Sequence, residues 1–396
     1  MNRLKICILI RALPVHIQGG QEKHTISLAK ALARAGNEVH IVTSAHPEGL
    51  NFIEEDNIKI HFVENTSQGK YTYSFFKKIS DYVSELDKKI RFDIIHSQGF
   101  AGLYYQFIDK SRLVITIHGT LFSETPLNPS YFSQLSFFEK LEMIYRYRMR
   151  FVILPFYKTL LRNSRRIIID SNFTRELLLK RNPGLSNRTR IVPLGIELEE
   201  YQALDKEKIR KELDINGFVL FTVSRLEKMK GIDIAIDAIR KLNIPDIHYY
   251  IAGKGRLEAE SKEMCRKDNI KNVHFLGELF EEELKKYFAM ADVFIYPEVS
   301  EPAFGLVSIE SMAYGTPVIA SRSGAIPEVI NEEVGLIFEK GNSDELAEKI
   351  KLIYGDRNYL ERLRTNTRSY VEANFTAEKM AERVLAVYNE IIEAKE

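Results

Sequence analysis

Two short segments of this chain hold side chains whose types and spacing fit recognition of a charged, hydroxyl-rich ligand. The first is Ser224–Gly231, SRLEKMKG, where Arg225 and Lys230 stand five residues apart behind an apolar run. The second is Glu301–Ser321, EPAFGLVSIESMAYGTPVIAS, where Glu301 and Glu310 flank an aromatic–glycine turn. Cations beside a helix start suit a diphosphate, because they add charge to backbone N–H groups that already point outward. Carboxylates accept hydrogen bonds from sugar hydroxyls. Together the two segments predict a nucleotide-sugar site.

The spacing also predicts where these residues sit. Arg225 and Lys230 follow a strand-like run, at the edge where parallel α/β sheets bind ligands. Either cation alone would be an ordinary surface residue. The helix after Phe304 is expected to start near Gly305, so that the N–H groups of Gly305, Leu306 and Val307 face a phosphate. Glu310 falls inside that helix beside apolar Ile309, where a buried carboxylate would need a polar partner. The alternative is a surface glutamate in a salt bridge. Gly19-Gly20 and Gly253-Lys254-Gly255 let backbone approach a phosphate closely, although each is also a common turn. Neither is a GxGxxG pattern, so dinucleotide binding is not supported. His118 ends the run VITIH on the same kind of edge, where it is either catalytic or a hydrogen-bonded structural residue.

The elements that must position these residues are short apolar runs alternating with amphipathic helices. KICILI (5–10), EVHIVT (38–43), FDIIH (92–96), LVITIH (113–118) and RRIIID (165–170) read as strands covered on both faces. A helix over 21–35 ends at Gly36, and Ser171-Asn172 caps another that runs to Arg181. After Pro193 and Gly195 the pattern restarts with 218–224, 248–255, 272–277, 292–297 and 316–321, and the tail from Ser343 is mostly helical. The expected fold class is therefore α/β, with two Rossmann-like, doubly wound parallel-sheet domains. The N-terminal domain is placed at 1–195 and the C-terminal one at 196–375.

Composition bounds the classes that remain. The 396 residues include 45% apolar and 28% charged side chains, as in a soluble globular protein. No N-terminal signal pattern and no membrane-spanning run is seen, which leads us to expect a cytoplasmic protein. Cys7 and Cys265 are too few for a disulfide framework or a cysteine metal site. Net charge is +1, yet residues 1–195 hold 28 Lys and Arg against 17 Asp and Glu, while residues 196–396 hold 28 against 38. A basic N-terminal lobe favours anionic partners.

Taken as a whole, the chain resembles the retaining nucleotide-sugar glycosyltransferases of the GT-B fold, glycosyltransferase family 4. The likeness rests on GGQEKHTISLAKALARAGNEVHIVT, DIIHSQG, ITIHGT, DSNFTRELL, IVPLGIE, SRLEKMKGID, YIAGKGRLEAE and EPAFGLVSIESMAYGTPVIASRSGAIPEVI. It implies a donor cleft between two lobes and a last helix, about 376–396, that returns to the N-terminal lobe. By this resemblance Arg225 and Lys230 neutralise the donor diphosphate, Glu310 binds the ribose and Glu301 contacts the transferred sugar. Gly20 lines the phosphate, Gly253 belongs to a donor-binding loop and His118 lies near the sugar. The family separates its two glutamates by seven residues, whereas Pro302 through Ile309 makes eight here. No Asp-x-Asp motif is present, so no metal and no cofactor are expected, with Arg225 and Lys230 standing in for a cation.

The acceptor side is less specific. Residues 143–166 carry Arg146, Arg148, Arg150, Lys158, Arg162, Arg165 and Arg166 interleaved with five aromatic residues and no acid. Such a segment fits an anionic membrane surface and a polyprenyl or other lipid-linked acceptor, or else is a helix with a solvated basic face. A nucleic-acid partner is not expected. Phe122–Phe138 reads as an acceptor-side lid or as packing against that helix. The expected function is transfer of a hexose-type sugar from a UDP- or GDP-sugar to a glycan or lipid-linked acceptor, with retention of configuration and peripheral membrane association. The alternatives are a non-catalytic sugar-nucleotide-binding subunit and a same-fold epimerase or disaccharide synthase.

Overall fold

The computed structural model describes residues 3–17, 19–119, 154–202 and 204–394. The chain divides into two compact units, Met1–Gly195 with Ala377–Glu396, and Ile196–Thr376. The expected lid Phe122–Phe138 and the 143–153 part of the basic segment lie outside the described residues.

Unit 1 is built on strands β1 (Lys5–Leu9), β2 (Glu38–Ser44), β3 (Phe52–Glu55), β4 (Ile58–Val63), β5 (Ile94–Gln98), β6 (Leu113–Ile117), β7 (Arg166–Ile169) and β8 (Thr189–Ile191). Their order is β3-β4-β2-β1-β5-β6-β7-β8. All neighbours are parallel except β3 and β4. The expectation of a wholly parallel sheet is corrected there. Asp56 and Asn57 take positive φ, 51° and 61°, as the two-residue turn of a tight hairpin requires. The two-fold alternation of a strand sends β1 side chains to two cores. Ile6 and Ile8 pack with helix α1 (Gly20–Arg34), while Cys7 and Leu9 pack on the other face with helix α2 (Tyr73–Ile90). Helix α3 (Asn172–Arg181) is capped by the Ser171 hydroxyl, which accepts from the Thr174 N–H.

Unit 2 has a six-stranded, fully parallel sheet in the order β11-β10-β9-β12-β13-β14. These strands are β9 (Phe218–Val223), β10 (Ile247–Ala252), β11 (Val273–Gly277), β12 (Val293–Tyr296), β13 (Val318–Ser321) and β14 (Gly335–Phe338). Leu220 and Phe221 of β9, Val293 and Phe294 of β12, and Val318 and Ile319 of β13 point alternately to the two faces and are all 0% exposed, which fits a sheet covered on both faces. Helix α4 (Ile232–Leu242) follows β9, and helix α5 (Leu306–Ala313) follows β12. The chain ends in helices α6 (Ser343–Gly355), α7 (Arg357–Asn374) and α8 (Ala377–Glu393). Helix α8 packs into unit 1: Met380, Val384 and Tyr388 join the α1 core, and Glu390 takes ion pairs from Arg166 and Arg190.

Candidate functional site

Strand β9 lies between β10 and β12, so the loops leaving these three strands share one edge of unit 2. Arg225 follows β9 in a turn held at both ends. The Leu226 N–H donates to the Lys254 carbonyl at 3.0 Å, and the Leu226 carbonyl accepts from the Leu257 N–H at 2.9 Å. Gly253 (φ 120°) is glycine for a packing reason, since a Cβ there would lie 1.9 Å from the Ser224 carbonyl oxygen. Arg225 is exposed and has no ion pair among the described residues.

Lys230 closes a short 3-10 turn and is followed by Gly231 (φ 67°), which starts α4. That glycine is obligatory: a Cβ would lie 1.9 Å from the Pro297 carbonyl oxygen. The loop after β12 is thereby pressed onto this turn. Val299 and Ser300 N–H groups both donate to the Met229 carbonyl, at 2.9 and 3.2 Å. Here the structure adds a residue that the sequence reading missed. The Glu298 carboxylate is fully buried and accepts from Lys230 Nζ at 2.5 Å. Its other oxygen accepts from the Ser300 hydroxyl. The clue in the sequence was an acid placed directly behind the apolar run VFIYP.

Gly305 (φ 93°) is the N-cap of α5, and among the described residues no side chain caps that helix. Its first-turn N–H groups, those of Leu306 and Val307, therefore stand at the edge as an anion-binding helix start. Glu310, one turn on, has the polar partner expected of a half-buried carboxylate: its Oε1 accepts from the Tyr201 hydroxyl at 3.2 Å. Burial and the nearby Glu310 charge push the Tyr201 pKa far up, so the phenol remains a donor. Glu301 behaves differently. Gly324 packs against Pro302, and the Pro302 carbonyl accepts from the Ala325 N–H at 3.0 Å. The Glu301 side chain is left exposed, with Lys340 Nζ 3.8 Å away.

Unit 1 has its own polar edge. His118 follows β6 and Gln98 ends β5, the adjacent strand. His118 Nε2 and Gln98 Oε1 are hydrogen-bonded at 2.7 Å. Burial lowers the His118 pKa to about 4. The His24 ring stands edge-on to it at 4.7 Å and is itself buried, with both nitrogens lacking a partner among the described residues. Gly20 is exposed at the start of α1, behind the extended N-cap Gly19. There the Glu22 carboxylate, bonded to Arg11 at 3.2 Å, covers Gly19. Among the described residues no group of three or more His, Cys, Asp or Glu is arranged to hold a metal ion.

Residues 18–200 match the family model of glycosyltransferase family 4, and residues 205–370 match that of glycosyl transferases group 1. An uncharacterised glycosyltransferase of Methanocaldococcus jannaschii is 26% identical, over 97% of this chain and 98% of its own. A GDP-mannose-dependent monoacylated alpha-(1-6)-phosphatidylinositol monomannoside mannosyltransferase of Corynebacterium glutamicum is 31% identical, over 49% of this chain and 54% of its own. Among solved structures, sucrose-phosphate synthase from Thermosynechococcus elongatus shares the fold, with a TM-score of 0.79 at 24% identity over 99% of this chain and 100% of that one. The chain therefore belongs to the GT-B glycosyltransferases, with a family 4 N-terminal half and a group 1 C-terminal half.

Proposed function

We propose that this glycosyltransferase moves a hexose-type sugar from a UDP- or GDP-sugar to a glycan or lipid-linked acceptor. In this reading the donor lies on the edge of unit 2. The observation that carries it is the grouping there of Arg225, Lys230, the uncapped start of α5 and the hydroxyl-accepting Glu310. Cleavage of the anomeric C–O bond leaves negative charge on the departing diphosphate. Preorganised cations and N–H groups stabilise that charge as it develops, which is often the largest single contribution to catalysis. Arg225 as a cation and Lys230 through its N–H donors take this role in place of a metal ion, and Glu310 accepts from the ribose. Gly253 acts through the backbone turn it permits. His118 and Gly20 are assigned to the sugar and phosphate. Retention of configuration follows the family's usual chemistry, in which the leaving phosphate takes the acceptor proton and no protein nucleophile is needed.

Two features support a lipid-linked acceptor and a peripheral place on the inner face of the cell membrane. The Corynebacterium relative is named for a lipid acceptor. On unit 1, Tyr73, Phe107, Ile108 and Phe156 are 69, 60, 52 and 41% exposed, and Tyr104 joins their three rings. Lys158, Arg162 and Arg165 are exposed on or just after the helix that carries Phe156, whereas Arg166 is taken by Glu390. No helix among the described residues is long and apolar enough to cross a membrane.

The test is thermal stabilisation by UDP-, GDP-, ADP- and dTDP-sugars in EDTA, with Arg225→Ala as control. Binding to the folded state raises the melting temperature by mass action. One donor class should stabilise the wild type and not the variant. No stabilisation by any donor would overturn the reading. The outward Glu301 favours one second reading, a sugar-nucleotide binder without turnover, and donor binding without transfer or hydrolysis would establish it.

A further inference from the structure

Glu298 lies at the donor edge and takes no part in the chemistry above. Its side chain is 0% exposed, and its position is fixed from several directions. The Ser321 hydroxyl donates to its carbonyl at 2.5 Å, the Ser300 hydroxyl donates to its carboxylate, and the Tyr296 hydroxyl lies against the same group. The neighbouring Val299 N–H is tied to the Lys230 turn. Lys230, by contrast, is 23% exposed on a flexible stem. An ammonium group has three donors. Glu298 occupies one of them and leaves two for another acceptor.

We propose that Glu298 is the internal counter-ion of the donor site, a positioning residue that both aims the Lys230 ammonium and cancels its charge. This rests on the donor-site reading given above. The donor diphosphate then meets the single net positive charge of Arg225, with Lys230 supplying directed N–H groups and little net field. Because the carboxylate is buried, salt and water do not screen it from the ligand as they would a surface charge. The consequence is moderate affinity for the nucleoside diphosphate product, which has to leave in every cycle.

The test is calorimetric binding of UDP, GDP, ADP and dTDP, and of the matching nucleosides, at low and high salt. It uses wild type, Glu298→Gln and Arg225→Ala. The amide of Gln keeps an acceptor for Lys230 and removes the charge. The expected result is diphosphate binding about tenfold tighter in Glu298→Gln and steeper in its salt dependence, with nucleoside binding unchanged. A general packing defect would not sort diphosphates from nucleosides in this way. Unchanged or weaker diphosphate binding in Glu298→Gln, while Arg225→Ala still weakens it, would overturn the counter-ion and leave the donor site standing. Absence of diphosphate binding, or indifference to Arg225→Ala, would overturn both. Should Glu298→Gln fail to fold, the paired variant Lys230→Met/Glu298→Met removes both charges together. The salt dependence should then match wild type, while Arg225→Ala flattens it. Flattening in the paired variant would show that Lys230 acts as a bare cation, and would overturn the proposal.

Discussion

Replacing Lys230 by Ala should cost folding stability as well as donor binding, because it strands a buried carboxylate. Removing one partner of a buried ion pair costs about 3–5 kcal/mol, mostly as the penalty of the charge left behind. Lys230 is 23% exposed, so water can enter the vacated space and reach Glu298, which also keeps its bond from Ser300. The loss is therefore expected at or just below that lower limit, about 2–3 kcal/mol. For a unit of this size, that lowers the melting temperature by about 4–12 °C. Urea melts of the full chain, followed on the unit 2 transition, measure it directly. Adding Glu298→Gln to Lys230→Ala should recover most of the loss, because a neutral amide tolerates the site better than an unpaired carboxylate. The cycle isolates the pair from the rest of the loop. A double variant as unstable as Lys230→Ala, or a single loss below about 0.5 kcal/mol, would refute the reasoning, since it would mean that the carboxylate is indifferent to its partner.

Three further outcomes follow from the same geometry. Gly231→Ala places a Cβ on the Pro297 carbonyl and forces a left-handed backbone on alanine, so it should destabilise unit 2 by at least about 2 kcal/mol and weaken diphosphate binding; a wild-type urea midpoint would contradict this. Burial lowers the His118 pKa to about 4 and that of His96 to about 3, and holds His24 well below its usual value. Folded-state values below the unfolded value of about 6.5 contribute stability that is full above pH 6.5 and lost as pH falls through the folded values. The unit 1 urea midpoint should therefore fall between about pH 6.5 and pH 4, less steeply in His24→Phe, and a flat midpoint across that window would contradict it. Co-sedimentation with anionic vesicles at low salt should be reduced by Phe107→Ser/Ile108→Ser, whose parent side chains are 60 and 52% exposed; equal sedimentation of variant and wild type would remove that patch from the account.

What could be read in the sequence depended on range. Strands β9, β10 and β12 were legible as continuous apolar runs, and the turn carrying Arg225 and Lys230 could be placed because it follows β9 within a few residues. The helix start at Gly305 was legible for the same local reason. The β3–β4 hairpin was not, because FIEE lacks the apolar/polar alternation that IKIHF shows and the Asp56-Asn57 turn lacks the glycine that usually marks such a bend. Strand β5 begins two residues later than FDIIH implied, since Phe92 packs in the core ahead of the ladder. The partners of the charged residues were hidden altogether. Lys230 meets Glu298 across 68 positions, and Tyr201 meets Glu310 across 109. Spacing along a chain carries no record of such pairings. The extra residue between Glu301 and Glu310 was visible, but the outward place of Glu301 beside Lys340 was not, because Gly324 and Ala325 pack on Pro302 from more than 20 positions away.

The most direct test of the central claim is nucleoside diphosphate release from UDP- and GDP-sugars in EDTA, by wild type and Arg225→Ala, with and without lipid acceptor extract. Release from one donor class by the wild type is expected, faster with acceptor. The variant should lose about 10–150-fold in kcat/KM, the equivalent of one charge-assisted contact of about 1.5–3 kcal/mol. Release from neither donor, or release indifferent to Arg225, would contradict that claim.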